Sequence, residues 1–311
     1  MSDEVLICGS VAFDTIAVFD GRFKEHILPD RIHALSVSFL VPQMRREFGG
    51  CAGNIAYNLK LLGGQPLPVA TVGSDAEDYL KRFAQFGIDT RHVKVHSDMF
   101  TAQCFITSDL DDNQISAFHP GAMDRSADND IGEHKARWAI VAPDSKAGMM
   151  AHVNRFAQAG TPFIFDLGQA MPLFDGNDLL SVFSKATALA LNDYEASVVE
   201  QRTGLSIDKL AQTLQAVVVT RGGEGATLYT QGQIIDIAPV SPQAVIDPTG
   251  CGDAHRAGLL FGLTQGWSWE KSCMLGNVMG SIKIAHRGPQ NHAPTREQIA
   301  QIMQQNFGVA F

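Results

Sequence analysis

The sequence predicts an α/β fold: a doubly wound, mostly parallel sheet flanked by helices, with a small accessory β-sheet projecting from it. Three observations predict it. Short apolar or β-branched runs alternate along the chain with helix-length stretches. Those runs are apolar throughout, as in parallel strands covered on both faces by crossover helices. Two segments, 15–48 and 101–120, break the rhythm and alternate residue by residue instead.

Taken in order, strands are expected at 5–8, 67–72, 138–141, 162–165, 187–191 and 216–220. Between them fall helices at 53–62, 76–86, 146–159 and 195–203. The C-terminal third is more helical, with 254–265, 268–286 and, after Pro294, 296–305. This alternation is that of an open α/β sandwich. In the two irregular segments Val37, Phe39 and Val41 alternate with Ser36, Ser38 and Leu40, and Gln114, Ser116 and Phe118 with Ile115 and Ala117. They read as strands of the accessory sheet; irregular surface insertions are the alternative. No Ser/Pro-rich linker divides the chain, so residues 1–311 are expected to form one domain.

Composition excludes several classes of function. Charged residues make up 18%, below the roughly 25% of an average soluble chain, while 45% are apolar, so a packed core is expected and not disorder. Basic residues number 24 against 33 acidic ones, a net charge of −9. With no basic run, neither nucleic acid nor an anionic membrane is an expected partner. No apolar stretch approaches the ~20 residues needed to span a bilayer, and the acidic start Met1 to Glu4 does not resemble a targeting peptide. Cys8, Cys51, Cys104, Cys251 and Cys273 are scattered without any Cys-x-x-Cys, which predicts free thiols and a cytoplasmic home. If such an acidic chain binds a polyphosphate, a local device must overcome the global repulsion.

The segment Asp247-Pro248-Thr249-Gly250-Cys251-Gly252-Asp253, running into Ala254-His255-Arg256-Ala257-Gly258, supplies one. Pro248 restricts the chain, Gly250 and Gly252 permit unusual backbone angles, and a helix follows at once. Its free N–H groups and positive dipole end can hold an anion without a lysine. Asp253 in the first turn either complements the dipole or acts as general base for a hydroxyl attacking a phosphoryl group held there. No Gly-Lys pair of a Walker loop occurs, and His255 spoils Gly-x-Gly-x-x-Gly. A second cluster, Gly49-Gly50-Cys51-Ala52-Gly53-Asn54-Ile55-Ala56 with Gly63 and Gly73, lies far upstream. There Asn54 either caps a helix or reads a polyhydroxylated ligand. Asp14, closing the first strand segment, offers a carboxylate to vicinal hydroxyls at a strand end, where open sheets bind ligands.

Together these clusters resemble the ribokinase-like (pfkB) family of sugar and nucleoside kinases. The likeness runs through Gly49, Gly50, Asn54, Ala56, Gly63 and Gly73 in the first and Asp247, Pro248, Gly250, Gly252, Asp253, Ala257 and Gly258 in the second. Asn192-Asp193-Tyr194-Glu195 and Thr220-Arg221-Gly222-Gly223-Glu224-Gly225 fall between them in the family's order. Within the family, Gly21-Arg22-Phe23, 35–41 and Phe118-His119-Pro120-Gly121-Ala122-Met123 are similar to the bacterial adenosine-kinase branch. The resemblance implies a ribokinase-like fold with a β-sheet lid, from roughly 15–48 and 97–121, that closes over substrate and serves as a homodimer clasp.

It further implies ATP-dependent phosphorylation of the 5′-hydroxyl of adenosine. Asp253 would be the base, and the amides of Gly250, Cys251 and Gly252 the anion hole. Asp14, Gly50 and Asn54, with Ser10 and Ser38 nearby, would bind ribose, and Phe118 would stack on the base. Thr220, Gly222, Gly225 and Asn277 would contact the nucleotide. Asn192 and Glu195 would organise Mg²⁺ through water, and Asp247, with Thr249 and Gly288, would sit beside a monovalent cation such as K⁺. Three positions depart from the pattern: Cys251 in the anion loop, His255 in place of an aromatic, and Cys104 where a second aromatic would flank the base. A free-sugar kinase therefore stays open, and so does a non-catalytic sensor that kept the pocket. Cys251, at a helix N-terminus, is either an inert small side chain or a thiol of lowered pKa open to oxidation. His92 and His96 read as a solvated pair and not a metal site, and Asp109, Asp111 and Asp112 as a hairpin turn.

Overall fold

The structure, a computed structural model, describes residues 3–27, 36–111, 113–132 and 134–311. Leu35 of the adenosine-kinase-like segment, Asp112 of the turn and the first two residues lie outside them. The strands are β1 (Glu4–Cys8), β2 (Ala12–Val18), β3 (Gln43–Gly49), β4 (Gln65–Gly73), β5 (Val93–His96), β6 (Ala102–Ser108), β7 (Gln114–His119), β8 (Trp138–Val141), β9 (Phe163–Asp166), β10 (Ala188–Asn192), β11 (Ala216–Thr220), β12 (Ala226–Thr230) and β13 (Gln233–Ile237). The helices are α1 (Phe23–His26), α2 (Cys51–Leu61), α3 (Glu77–Gln85), α4 (Lys146–Ala159), α5 (Gly176–Phe183), α6 (Asp193–Thr203), α7 (Ile207–Ala211), α8 (Cys251–Thr264), α9 (Trp269–Ile284) and α10 (Arg296–Phe307).

Nine strands form the main sheet in the order β13-β12-β11-β10-β9-β8-β1-β4-β5. The pairings are parallel except β11–β12 and β12–β13. Successive strand side chains enter opposite cores, as the two-residue period requires. Val5 and Ile7 join Ile55, Leu59, Phe83, Leu260, Val278 and Met303 on the face covered by α2, α3, α8, α9 and α10. Leu6 and Cys8 join Val153, Phe156, Val182, Val199 and Leu210 under α4 to α7. Apolar neighbours on both faces are why the strands read as continuous apolar runs. The expectations from sequence do not include β5, β12 and β13: β5 and β13 are largely exposed and carry Lys94, Gln233 and Asp236 among their apolar residues, and β12 interrupts its buried Ala226 and Leu228 with Thr227, Tyr229 and Thr230, so the continuous apolar pattern is missing.

The second sheet has the order β3-β2-β6-β7 and begins at Ala12, ahead of the expected 15. Asp14 accordingly sits on this sheet and not at the end of β1. The segment 36–41, expected as a strand, is irregular. Its alternation survives as half-buried Val37, Phe39 and Val41 against exposed Ser36, Ser38 and Leu40, yet among the described residues no strand pairs with it. Phe39 instead packs on Phe19 and Phe23, with ring centroids 4.8 and 5.0 Å apart. The Asp109 turn holds: its carboxylate accepts from the amides of Asp111 and Asn113 between β6 and β7.

Helices α8 and α9 approach closely because Gly258 faces Gly276. A Cβ on Gly258 would lie 2.8 Å from the Gly276 Cα, too near for α9 to stay in place. Gly258→Ala is expected to cost ~1–3 kcal/mol by overpacking, read as a lower urea midpoint. An unchanged midpoint would show that the two helices slide apart freely.

Candidate active site

Three neighbouring parallel strands of the main sheet end in polar residues at one edge of a cleft: β9 at Asp166, β10 at Asn192 and β11 at Thr220. Their carboxyl ends open into a cavity of ≈ 670 Å³, where an open α/β sheet binds ligands. Across it lies the glycine loop Gly250, Cys251, Gly252, Asp253, with Gly222 and Gly225 at one end and Asn277 on α9.

Gly250 precedes α8 with φ +80°, and a Cβ there would strike Pro289 at 2.6 Å. Its left-handed conformation points the first turn of α8 into the cavity. The Cys251 amide already donates to the Pro248 carbonyl at 3.1 Å, so of the three expected anion-hole donors this one is engaged. A Cβ on Gly252 would meet nothing closer than the Arg256 guanidinium at 3.9 Å, which leaves that turn open to a ligand.

Gly50 likewise has φ +84°, and a Cβ on it would lie 2.6 Å from the Ser10 carbonyl. The Ser10 hydroxyl accepts from the Cys51 amide at 3.0 Å and its carbonyl from Ala52 at 2.9 Å. Ser10 thus caps α2, one of the two roles open to Asn54. That leaves the Asn54 side chain, one turn inside α2, available elsewhere, and its Nδ2 donates to Asp253 Oδ2 at 2.8 Å. Asn54 Oδ1 in turn accepts from Gln290 Nε2 at 3.0 Å, and Gln290 also reaches the Tyr79 hydroxyl at 2.7 Å. Both glycine clusters, 199 residues apart at Asn54 and Asp253, meet in one cleft.

Burial pushes the Asp253 carboxyl up to about 6; the Asn54 hydrogen bond opposes this, Asp166 adds to it, and Arg256 opposes it. Asp14 is also pushed up to about 6, by burial and then by Glu47 and Asp247. Glu47, Asp14, Cys104 and Phe118 stand abreast across β3, β2, β6 and β7, and directly opposed residues share a face of a sheet. Phe118 is 54% exposed and Ser38 is exposed, and neither lines the cavity that Asp253 faces.

Asn192 caps α6, and the pair is reciprocal. The Glu195 amide donates to Asn192 Oδ1 at 2.7 Å, while the Asn192 amide and Nδ2 donate to the Glu195 carboxylate at 2.8 and 2.9 Å. Burial and then Asp166 push Glu195 up, so two carboxylates crowd one wall of the cavity. That setting suits a cation held through water, and among the described residues no three metal-ligating side chains converge to cage one directly. Thr220 Oγ1 donates to the Leu191 carbonyl at 3.3 Å, and Asn277 Nδ2 to the Ala238 carbonyl at 2.9 Å.

Sequence reasoning missed Asp166 and Arg256. Arg256 Nε donates to Asp166 Oδ2 at 3.1 Å in a pair whose side chains are 6% and 7% exposed. Asp166 could have been found as the acid closing an apolar strand run, Arg256 as the one cation a turn beyond Asp253. Burial, with Lys283 opposing it, pushes the Cys251 thiol up to about 11, which contradicts a thiol of lowered pKa at the helix end. His255 is buried against Gly276, filling the place of an aromatic as a neutral ring, its pKa lowered to about 3 by burial. His92 neighbours His134, with ring centroids 5.3 Å apart.

A family model described as pfkB family carbohydrate kinase matches residues 11–296. The nucleoside kinase of Burkholderia thailandensis in complex with inosine is 50% identical, covers 98% of this chain and 99% of its own, and superposes with a TM-score of 0.89. The same enzyme in complex with ADP-inosine is 52% identical, with coverage of 98% and 97% and a TM-score of 0.87. The nucleoside kinase of Methanocaldococcus jannaschii is 26% identical over 278 residues, 87% of this chain and 90% of that one.

The raised Asp253 carboxyl has a consequence for stability. Between its ordinary value of 3.8 and about 6, the folded protein keeps a proton that the unfolded chain has released, so this group's contribution falls as pH rises through that window. Asp253→Asn keeps an acceptor for Asn54 and removes the buried charge. It is expected to be more stable than the parent by ~1–3 kcal/mol at pH 7, the gap closing below pH ~4. Urea melts at both pH values check this; an equal gap at both would disprove the burial argument.

Proposed function

The chain belongs to the pfkB family of carbohydrate kinases, ATP-dependent phosphotransferases of the nucleoside-kinase type, and on that premise we propose that it phosphorylates the 5′-hydroxyl of purine nucleosides, adenosine among them. The observation that carries this reading is the Asn54–Asp253 hydrogen bond, which brings a hydroxyl-reading amide and a raised carboxyl side by side, within reach of one bound alcohol.

In this reading Asp14 accepts from the vicinal ribose hydroxyls, and Gly50 lets the sugar approach the backbone. Asn54 binds ribose while holding Asp253 in orientation. Asp253, its carboxyl near the working pH, takes the 5′-hydroxyl proton as the new O–P bond forms and the bond to the departing ADP breaks. The free amides at Gly250 and Gly252 and the α8 dipole take up charge on the moving phosphoryl group. Thr220, Gly222 and Gly225 hold the nucleotide phosphates, and Asn277 lies near its base. Mg²⁺ accompanying ATP would supply charge neutralisation, with Asn192 and Glu195 fixing its water shell. The Arg256–Asp166 pair leaves the cavity wall with a compensated charge. Closure of the small sheet would bring Phe118 over the purine, and Met44, Phe105 and Ile115, exposed on the same sheet, suit it to pairing with a second copy.

Support for a nucleoside comes from the inosine complexes of the 50–52% identical relative. Stacking on Phe118 gives affinity without reading the purine 6-substituent, so adenosine and inosine should both serve. Cys104, beside Phe118 in the register, favours the second reading, a free-sugar kinase, because it leaves one stacking partner where two are expected. Stacking is worth about 1–3 kcal/mol per base, so kcat/KM for adenosine and inosine is expected to exceed that for ribose and fructose by ~10- to 100-fold. ADP release measured across those four substrates decides: faster turnover of a free sugar overturns the nucleoside reading, and no ADP with any supports the sensor.

Asp253→Asn is expected to lower kcat by ~10²–10⁴ with nucleoside binding retained. In the parent, kcat/KM should fall as pH drops below about 6, where Asp253 and Asp14 acquire protons. Near-parental turnover in the variant would refute the base assignment.

A further inference from the structure

The cation site expected at Asp247, Thr249 and Gly288 does not suit a free ion. Lys283, on the last turn of α9, is 0% exposed. Its Nζ donates to the Asp247 carbonyl at 2.7 Å and to the His286 carbonyl at 3.0 Å. Those two oxygens belong to the segments that frame the glycine loop: Asp247 begins it, and His286 leads to Gly288 and to Pro289, which packs on Gly250. The Asp247 carboxylate is itself committed, accepting from the amides of Thr249 at 2.9 Å and Gly288 at 2.8 Å. Burial opposes ionisation of Asp247, but those amides together hold its carboxyl below the usual value. One positive charge is already in place among these oxygens, supplied by the chain.

We propose that Lys283 is a built-in cation that positions the anion-binding loop, so that phosphoryl transfer by this protein does not depend on a bound monovalent ion. The argument is geometric. A carbonyl pair that converges on a buried ammonium is a site for one cation, and a second like charge beside it would be repelled at close range. Burial disfavours the charged amine, while Asp247 and Glu47 favour it, and its two carbonyl partners satisfy donors that would otherwise be orphaned. Lys283 touches no reacting atom. It acts through the Asp247 carbonyl, which begins the turn whose amides face the phosphate, and it is a positioning residue.

The role rests on the kinase reading above, and the test separates the two. The parent is assayed with saturating ATP, Mg²⁺ and adenosine in potassium chloride and in N-methylglucamine chloride at equal ionic strength, and its melting temperature is taken in both. Equal turnover within about twofold and equal melting temperatures are expected. Potassium activation of more than about fivefold, or a melting temperature raised by potassium as a bound ligand would raise it, overturns the proposal. If no substrate yields ADP, the kinase reading has failed, and the melting temperatures alone decide on the cation. Lys283→Met keeps the length of the side chain and removes the charge. It is expected to lose ~10²-fold or more in kcat, the cost of an impaired anion hole, with KM for adenosine nearly unchanged. Ammonium or potassium, but not N-methylglucamine, should restore most of that loss and raise the variant's melting temperature. A loss that no small cation repairs means a merely structural lysine and overturns the proposal. Should the variant fail to fold, the parent's two comparisons still decide.

Discussion

A hydrogen bond of 2.8 Å from the Asn54 side chain to Asp253 ties the N-terminal glycine cluster to the C-terminal one, and the rest of the site is arranged around it. For it to form, α2 and α8 must run side by side on one face of the sheet, with their first turns at the same end. Gly50 and Gly250, both at positive φ, let each helix begin there. Gln290, Tyr79 and the Gly49 carbonyl carry the connection outward through hydrogen bonds of 3.0, 2.7 and 2.6 Å. Such a chain of satisfied buried groups admits few alternatives, because any member left unpaired would cost roughly 1–3 kcal/mol.

Electrostatics explains how a chain of net charge −9 can hold a polyphosphate. The cavity wall carries Asp166, Glu195 and Asp253, which alone would repel one. Arg256 compensates from within the helix, the open first turn of α8 adds donors without adding a formal charge, and Lys283 sits behind the loop. Attraction is thus built from short-range, oriented groups, which lose less to salt screening than surface charge does. The same burial that raises Asp253 and Asp14 toward neutrality makes the site costly to keep folded, a common feature of groups tuned for proton transfer.

Much of the main sheet was legible because a parallel strand covered on both sides must be apolar at every position. The strands at 138–141 and 216–220 have the bounds the sequence predicts. The edge strands escaped because half-exposed residues carry no such constraint, and 36–41 misled because alternation reports burial on one side, not the presence of a pairing partner. Among site residues, the glycine loops were legible since only glycine tolerates the backbone angles and close approaches found there.

Sequence by itself determined the fold class, the two glycine turns and the acid that follows the second, since these follow from local backbone geometry and periodicity. Tertiary structure alone decided which polar group each of them meets. Asn54 turned out to be a partner of Asp253 because Ser10 already caps its helix, Cys251 a thiol of raised pKa because desolvation outweighs the nearby Lys283, and Lys283 a donor to the Asp247 carbonyl 36 residues away. Such pairings depend on distances between segments far apart in the chain, and no spacing along the chain encodes them.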